Sequence, residues 1–379
     1  MSDRRPMRIL FWSEFYWPYI GGPEVMASRL LPALRDRGFR FTVVTSQHHL
    51  DLPGEAEHEG IPIVRLPFRD AVERGDVDTL GGVIRRIARL KRKETPDLVH
   101  LNGIGSSALF HLSTAGACPA PLLVTLHTRL MTDGDAPHDT LQSRVLRAAD
   151  GVVACSASVL LQLRSLVPTA FPRSVVIPNS VETPDRLPTP LPADPAHLLC
   201  LGRLIPLKGF DLALAALAAV RNRFPDLRLT VAGDGPSRSQ LERMAAEAGL
   251  GPAVRFTGWI RPGEIPGLIN EATMVLIPSR GREGLPVVAI QAALMGRPII
   301  ATPVGGLPEI VVDGVTGVLV GENDALALAR AIEDLLDHPD TAAAMGRRAR
   351  IHARERFGWE SHLNAYDRVY RRLIARGSP

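Results

Sequence analysis

Short apolar runs alternate along this chain with longer segments in which apolar residues recur every three or four positions. Residues 7–12 and 41–45 are runs of the first kind and predict buried strands, whereas residues 23–37 have a helical period. The glycine pair Gly21-Gly22 stands between the first strand and this helix. The order strand, glycine loop, helix, strand predicts a parallel sheet that helices cover on both faces.

The same alternation continues to the end of the chain and predicts two α/β domains. Further strands are predicted over residues 61–66, 97–101, 121–127, 151–156, 174–179, 197–201, 227–232, 254–256, 274–277, 298–301 and 317–320. Five prolines between residues 181 and 195 separate the two series and break any regular element. We therefore predict a first domain over 1–182, a linker over 183–196, a second domain over 197–357 and a docking helix over 358–379.

Composition narrows the function classes. The 379 residues are 45% hydrophobic and 22% charged, which suits ordinary cores. A net charge of +4 and 5% aromatic residues give no argument for nucleic acid. Cys118, Cys155 and Cys200 lie far apart, so we expect neither a disulfide framework nor a metal site. No apolar stretch suits a signal peptide or a membrane span, and we expect a cytoplasmic protein.

The sharpest candidate site is the polar loop over residues 279–286, which follows an apolar strand and carries Glu283 and Gly284. Pro286 then opens a helix, whose free N–H groups and positive dipole end point at whatever the loop holds. Ligands bind at the carboxyl ends of parallel strands, so we expect an anionic or hydroxyl-rich ligand here. A carboxylate in this place can also be a simple helix cap, but Gly284 favours close ligand approach.

Arg203 and Lys208 occupy the loop after the first strand of the second half. A guanidinium and an ammonium on one loop can hold both charges of a diphosphate without a metal. The alternative is that both are solvated surface charges. Their position at the carboxyl end of a strand favours the diphosphate interpretation.

Two features of the first half have alternatives that the sequence leaves open. Gly21 and Gly22 offer backbone N–H groups to a phosphate, although a tight turn with positive φ explains the pair equally well. His127 ends a strand, where it could face Glu283 across an interdomain cleft. A lone histidine is also often only a packed or an exposed residue.

Three further patterns are less specific. Turn chemistry alone explains residues 233–236. Gly305-Gly306 with Glu309 is either a turn before a helix or part of a nucleotide pocket. The helix predicted over 83–93 is dense in arginine and lysine, and it either contacts an acidic membrane surface or presents one solvated face while it packs on the sheet.

Several of these motifs together resemble glycosyltransferase family 4, over nearly the whole chain. They are Gly202-Arg203-Leu204 with Lys208-Gly209, Pro278-Ser279 with Glu283-Gly284-Leu285, residues 296–301, residues 305–309, Gly21-Gly22, His127 and residues 176–182. The resemblance implies a GT-B architecture: two Rossmann-like, doubly wound domains that face each other across a cleft, with a C-terminal helix crossing back. It also implies a retaining, metal-independent transfer from a nucleotide-diphosphate sugar.

The resemblance assigns the nucleotide end of that donor to five residues. Arg203 and Lys208 would bind the diphosphate and stabilise the charge that develops on the leaving group. Gly22, with Gly21 beside it, would approach the phosphates. Ile260 would present backbone groups to the base.

The resemblance also implies that the loop after the strand over 274–277 binds the sugar end of the donor. By the same resemblance, Glu283 and the backbone of Gly284 and Leu285 would hold the sugar, and His127 would contact it near the reaction centre. One departure matters: the family has a second glutamate where this chain has Gln291. Glutamine can still hydrogen-bond a ribose as a neutral group, so ribose binding is retained while the nucleotide preference is in doubt.

The sequence therefore predicts an enzyme that transfers a sugar from a nucleotide-diphosphate donor, UDP-linked by preference, to a hydroxyl of a glycan, lipid-linked or small-molecule acceptor. The donor is a co-substrate, and no cofactor is expected. Two alternatives stay open: a nucleotide-sugar epimerase on the same fold, and a non-catalytic nucleotide-sugar-binding protein. The expected partners are the donor and the acceptor, and no nucleic acid is expected. Residues 83–93 could also make peripheral contact with the inner face of a membrane.

Overall fold

The computed structural model describes residues 5–19, 21–47, 52–130, 140–192, 194–281 and 283–377. They form two compact units, each with its own sheet. The first unit contains Met1–Ile177 and Glu360–Pro379, and the second contains Pro178–Trp359. The chain therefore leaves the first unit once and returns to it near its end.

The first unit is built on eight strands among the described residues. Its elements up to the crossing are β1 (Met7–Ser13), α1 (Gly22–Arg35), β2 (Phe39–Ser46), β3 (Glu55–His58), β4 (Ile61–Leu66), α2 (Phe68–Arg74), α3 (Val77–Glu94), β5 (Leu98–Asn102), α4 (Ser107–Ser113), β6 (Leu122–Leu126), α5 (Leu141–Ala148), β7 (Gly151–Ala154), α6 (Ala157–Leu166) and β8 (Ser174–Val176). The strands lie in the order β3-β4-β2-β1-β5-β6-β7-β8, and only β3 pairs antiparallel.

The hydrophobic pattern predicts the buried strands of this sheet and misses the exposed strand β3. In β1 the side chains of Ile9, Leu10, Phe11 and Trp12 are all buried, as expected for a central parallel strand. Strand β3 reads Glu-Ala-Glu-His and contains no buried residue. An edge strand exposed in this way needs no apolar run, so the pattern does not predict it.

Helix α3 begins at Val77, six residues before the predicted start, because Asp76 caps it by accepting a hydrogen bond from Thr79 N–H at 2.7 Å. Lys91 does not belong to the solvated face. It is 1% exposed, and its ammonium donates to the carbonyl oxygens of His111 and Thr114, each at 3.1 Å. The cations of α3 that are exposed are Arg85, Arg86, Arg89, Arg92 and Lys93.

The second unit contains six parallel strands among the described residues. Its elements are β9 (His197–Leu201), α7 (Phe210–Val220), β10 (Arg228–Ala232), α8 (Arg238–Glu247), β11 (Val254–Gly258), α9 (Ile265–Asn270), β12 (Met274–Ile277), α10 (Val287–Leu294), β13 (Ile299–Ala301), α11 (Leu307–Ile310), β14 (Gly317–Leu319), α12 (Ala325–Asp337) and α13 (Pro339–Arg356). The spatial order is β11-β10-β9-β12-β13-β14.

This strand order decides where the second unit can bind a ligand. The chain winds outward in one direction from β9 to β11, and in the other direction from β12 to β14. The two series start side by side at β9 and β12, which pair in parallel. Such a switch point opens a crevice at the carboxyl ends of its two strands.

Residues 183–196, predicted as the linker, are part of the second unit. The fully buried guanidinium of Arg297 donates to Oγ1 of Thr189 at 3.0 Å and to Oδ1 of Asn270 at 2.8 Å. The prolines prevent regular structure there, but polar contacts hold the segment to α9 and the start of β13. The crossing therefore lies at Ile177, ahead of the prolines.

The last helix, α14 (Trp359–Gly377), completes the first unit. The hydroxyl of Tyr370 lies 2.7 Å from Nδ1 of His100 on β5, and Nε2 of His100 lies 2.8 Å from Oγ1 of Thr125 on β6. The hydroxyl of Tyr366 lies 3.1 Å from the same Thr125 oxygen. All four side chains are buried, so this network holds α14 against the two strands.

Within the described residues, no helix combines the length and the apolar character needed to cross a bilayer.

The His100 network predicts a pH dependence of stability. Burial, with a smaller contribution from His127, lowers the pKa of His100 from 6.5 to about 3. Between these values the unfolded chain binds a proton that the folded chain excludes, so the unfolding free energy falls as pH falls, by at most about 1.4 kcal/mol per unit for this group. In urea titrations from pH 7 to pH 4.5, His100→Gln should show a shallower decline than wild type. His338→Gln, at an exposed position, is the control and should follow wild type.

Candidate functional site

Two loops of the second unit are locked together at its switch point, one after β9 and one after β12. Gly209 has a φ of +64°, and a Cβ atom there would lie 2.0 Å from the carbonyl oxygen of Pro278. Only glycine allows this approach. The same two loops are also joined by a backbone hydrogen bond, in which the N–H of Arg280 donates to the carbonyl oxygen of Leu207 at 2.7 Å. The loops therefore present their side chains from a shared backbone platform.

Lys208 and Glu283 meet across this contact. The Lys208 ammonium lies 2.5 Å from Oε1 of Glu283, and the hydroxyl of Ser279 donates to the same oxygen at 2.7 Å. The side chains are 24% and 14% exposed respectively, so water screens the pair only in part. Lys208 is one of three lysines in a chain with 44 basic residues, and its compact ammonium suits a single oxygen better than a guanidinium fork does.

Arg280 clamps the two loops from the other side. Its guanidinium donates twice to Asp211 in the first turn of α7, at 2.7 and 2.6 Å. It also donates to the carbonyl oxygen of Pro206 at 3.0 Å and to Oδ1 of Asn323 at 2.6 Å. A bidentate pair of this kind fixes geometry as well as charge. Arg280 thus connects the Lys208 loop with the Glu283 loop without touching either side chain.

The Glu283 loop rests on a second layer of contacts. A Cβ atom on Gly305 would lie 1.9 Å from the carbonyl oxygen of Glu283, and the N–H of Gly306 donates to the carbonyl oxygen of Gly284 at 2.7 Å. The buried amide of Asn179 donates to the carbonyl oxygen of Leu285 at 2.7 Å. Gly306 is the N-cap residue of α11, so the interpretation of this loop as a turn before a helix is confirmed, and the same turn supports the Glu283 loop.

Arg203 lies on the loop after β9 but faces solvent. Its side chain is exposed, and no carboxylate among the described residues pairs with it. The N–H of Leu204 donates to the carbonyl oxygen of Asp234 at 2.9 Å, and a Cβ atom on Gly233 would lie 1.9 Å from the carbonyl oxygen of Gly202. Residues 233–236 therefore support the Arg203 loop as well as turning the chain.

The remaining candidates of the second unit lie around the same edge. Leu285 is buried two residues before the start of α10, and Gln291 is half-buried on the second turn of that helix. Ile260 follows β11 by two residues and is half-buried. A cavity of about 920 Å³ has Ile260 in its wall, but Arg203, Lys208 and Glu283 do not line it. That cavity is therefore separate from the charged pair.

Gly21 and Gly22 begin α1 in the first unit. Gly21 is the N-cap residue with φ −142° and ψ 176°, and Gly22 is the first helical residue. This backbone is extended, so the alternative of a tight turn with positive φ is wrong for Gly21. The pair stands at the N-terminus of a 14-residue helix, where free N–H groups and the dipole favour an anion.

His127 follows β6 directly and is oriented by its neighbours in the first unit. Its Nε2 lies 2.7 Å from Oδ1 of Asn102, whose amide nitrogen donates to the hydroxyl of Ser13 at 3.4 Å. An amide oxygen only accepts, so Nε2 carries the proton and a neutral His127 has its lone pair on Nδ1. The ends of β1, β5 and β6 together fix this tautomer. The histidine is thus held in one orientation rather than loosely exposed.

Sequence reasoning found the residues that bear the charges and missed those that hold them. The structure brings Lys208 and Glu283 into contact and places Arg203 on the same loop. The motifs include Asn179 and Ser279 without indicating what these residues contact. They do not include the positioning residues Asn102, Asp211 and Arg280. Arg280 lies in the loop over residues 279–286, and its partner Asp211 is 69 residues away in the chain. Ser279 donates to Glu283 only four residues on, but no local pattern indicates that contact.

The matching family models divide the chain close to the boundary between the units. A "Glycosyl transferase 4-like domain" matches residues 21–180, and "Glycosyl transferases group 1" matches residues 182–352. Two α/β units on mainly parallel sheets match solved glycosyltransferases of the GT-B class, so the predicted fold class is confirmed. The chain belongs to the group 1 glycosyl transferases, so the predicted family and the predicted enzyme class are confirmed as well.

Individual relatives agree with this assignment. A D-inositol 3-phosphate glycosyltransferase of an Arthrobacter species is 30% identical over 90% of this chain and 87% of its own length. A GDP-mannose-dependent α-(1-6)-phosphatidylinositol monomannoside mannosyltransferase of Mycolicibacterium smegmatis is 39% identical, but the match covers only 43% of this chain and 44% of that relative. The structure of sucrose-phosphate synthase from Thermosynechococcus elongatus matches with a TM-score of 0.84 at 25% identity, over 98% of this chain and 100% of that one.

The Arg280 clamp generates a prediction. In Arg280→Gln the bidentate pair with Asp211 is lost, and the loops that carry Lys208 and Glu283 are free to separate. We expect turnover to fall by about 100-fold, the order of effect that misplacement of reacting groups produces, while the fold is retained by circular dichroism. Arg223 makes a comparable bidentate pair with Asp337 beyond the far end of α7. Arg223→Gln is therefore the matched control, and an equal loss of turnover there would contradict a specific role for Arg280.

Proposed function

We propose that this protein is a retaining, metal-independent glycosyltransferase that moves a sugar from a nucleotide-diphosphate donor to an acceptor hydroxyl. The observation that carries the proposal is the contact of Lys208 with Glu283 at the switch point of the second sheet. A cation for the diphosphate and a carboxylate for sugar hydroxyls stand side by side where this topology binds ligands. Retention and metal independence rest on the resemblance to family 4.

The chemistry assigned to these residues follows from where charge develops. As the glycosidic bond to the donor breaks, negative charge grows on the leaving diphosphate. Lys208 and the exposed guanidinium of Arg203 stabilise that charge from one loop, whose backbone is held by the neighbouring loops. Glu283, with the backbone of Gly284 and Leu285, holds the sugar. Ile260 and Gln291 serve the base and the ribose.

The first unit is assigned the acceptor side of the reaction. His127, fixed by Asn102, contacts the transferred sugar near the reaction centre. Gly21 and Gly22 approach the phosphates at the N-terminus of α1. The acceptor is a hydroxyl of a glycan, a lipid-linked sugar or a small molecule. The names of the relatives support this range, since one acts on D-inositol 3-phosphate and another on a phosphatidylinositol mannoside.

A thermal-shift panel of UDP, GDP, ADP and their common sugar conjugates, without metal, tests the donor site. Binding to the folded state raises the melting temperature, and we expect a shift with one nucleotide family. The preference for uracil stays a prediction, since the mannosyltransferase relative is named for GDP-mannose. No shift with any compound would contradict the proposal. Conversion of the sugar nucleotide without acceptor would instead identify an epimerase, and binding without turnover a binding protein.

Lys208→Ala should lower turnover by about 100- to 1,000-fold, because one partner of the leaving-group charge is lost. The measurement is the initial rate with the donor identified in the panel. Arg330→Ala removes an exposed cation from α12 in the same unit and serves as control. Near-normal activity of Lys208→Ala would remove this residue from the diphosphate site.

We further propose that the five exposed cations of α3 contact an anionic membrane surface at the inner face of the membrane. Their clustering on one helix supports this, since each basic residue near such a surface adds about 1 kcal/mol. We expect Arg85→Glu/Arg89→Glu to lose cosedimentation with vesicles that contain phosphatidylglycerol. Arg368→Glu/Arg372→Glu reverses two exposed charges at the same spacing on α14 and should behave as wild type. Equal binding to phosphatidylcholine vesicles would contradict an electrostatic contact.

A further inference from the structure

The Lys208 ammonium already has a partner before any ligand arrives. It lies 2.5 Å from Oε1 of Glu283, which also accepts from Ser279 at 2.7 Å. A diphosphate that binds Lys208 must therefore compete with Glu283 for the same charge. We infer that Glu283 makes the site discriminate between the sugar-bearing donor and the bare nucleoside diphosphate, a role that rests on the donor site proposed above.

The burial of the pair gives this competition its strength. Glu283 is 14% exposed and Lys208 is 24% exposed, so neither charge can return fully to water when the pair separates. A partly buried carboxylate that loses its cation needs other donors, or it bears the cost of an uncompensated charge. Ser279 supplies one such donor. Ser279 is itself fully buried, so its hydroxyl group is held in place beside Glu283.

The nucleotide sugar and the bare nucleoside diphosphate differ in the hydrogen-bond donors that they offer to Glu283. A nucleotide sugar carries hydroxyl groups beyond its second phosphate, and these can donate to the carboxylate as Lys208 turns to the diphosphate. A bare nucleoside diphosphate carries none there, so it leaves Glu283 with Ser279 alone. The donor therefore separates the pair at little net cost, whereas the product nucleotide must separate it without compensation.

This difference favours the order of events that turnover requires. Once the sugar has been transferred, the hydroxyl donors to Glu283 leave with it. Lys208 then returns to Glu283, and the nucleoside diphosphate loses a cation contact at the moment when it must dissociate. Glu283 thus weakens product binding in addition to holding the sugar.

The test is a set of dissociation constants for UDP, GDP and ADP, each alone and as its glucose or mannose conjugate, measured by isothermal titration calorimetry. In Glu283→Gln the bare nucleotide that binds wild type should bind about tenfold more tightly, a typical size for coupling between a site and a competing contact. The sugar conjugate should not gain, so the preference for the conjugate over the bare nucleotide should shrink. Unchanged or weaker binding of the bare nucleotide would overturn the inference.

A double-mutant cycle separates ion-pair competition from the plain removal of a negative charge. If Glu283 acts by occupying Lys208, Glu283→Gln should give no gain in a Lys208→Met background. An equal gain in both backgrounds would overturn the inference in favour of a general electrostatic effect. Asp337→Asn makes the same chemical change in the ion pair with Arg223 and should leave every constant unchanged. If no variant and no wild-type protein bound any of these nucleotides, the donor site itself would be wrong.

Discussion

The close contact between the loops after β9 and β12 is the constraint on which the second unit depends. Parallel pairing of these two strands brings the loops to one edge, and Gly209 lets their backbones touch at Pro278. Any side chain at residue 209 would push the loops apart, since the nearest atom is a backbone carbonyl that cannot rotate away. Among the described residues around this contact, Lys208 pairs with Glu283 and Arg280 pairs with Asp211, whereas the side chain of Arg203 is exposed. The backbone of the site is therefore fixed, while its charged side chains are either paired or, at Arg203, open to solvent.

The two ion pairs at this edge have different roles. Arg280 and Asp211 set the distance between the loops, while Lys208 and Glu283 face the ligand space. Gly233 and Gly305 let further loops approach these two closely, and the N–H of Gly306 donates to the carbonyl oxygen of Gly284. These backbone contacts are neutral, so they hold the charged loops in place without adding charges that compete with the ligand. Preorganised stabilisation of a leaving group requires such an arrangement.

The sequence predicted most strands and the charged residues of the site, for a physical reason. Strands buried on both faces must be apolar throughout, as residues 274–277 are, and charged residues directly after them stand out. Strand β3 escaped because its side chains are exposed or half-buried. Arg280 with Asp211 and His127 with Asn102 escaped because each pair is 25 or more residues apart in the chain. The proline-rich segment was predicted as a linker because proline indicates irregular backbone, whereas its contacts with Arg297 and Asn270 are remote in sequence.

Helix α14 has a consequence for the order in which the chain can fold. It brings Tyr366 and Tyr370 to the strands that carry His100 and Thr125, yet it is encoded after the whole second unit. A growing chain therefore exposes the binding face for α14 on the first sheet while some 180 further residues are synthesised, which takes on the order of ten seconds or more at ordinary rates. During that interval His100 lacks its tyrosine partner. The first unit is thus synthesised first but completed last. When α14 packs on the first sheet, the whole second unit has already left the ribosome.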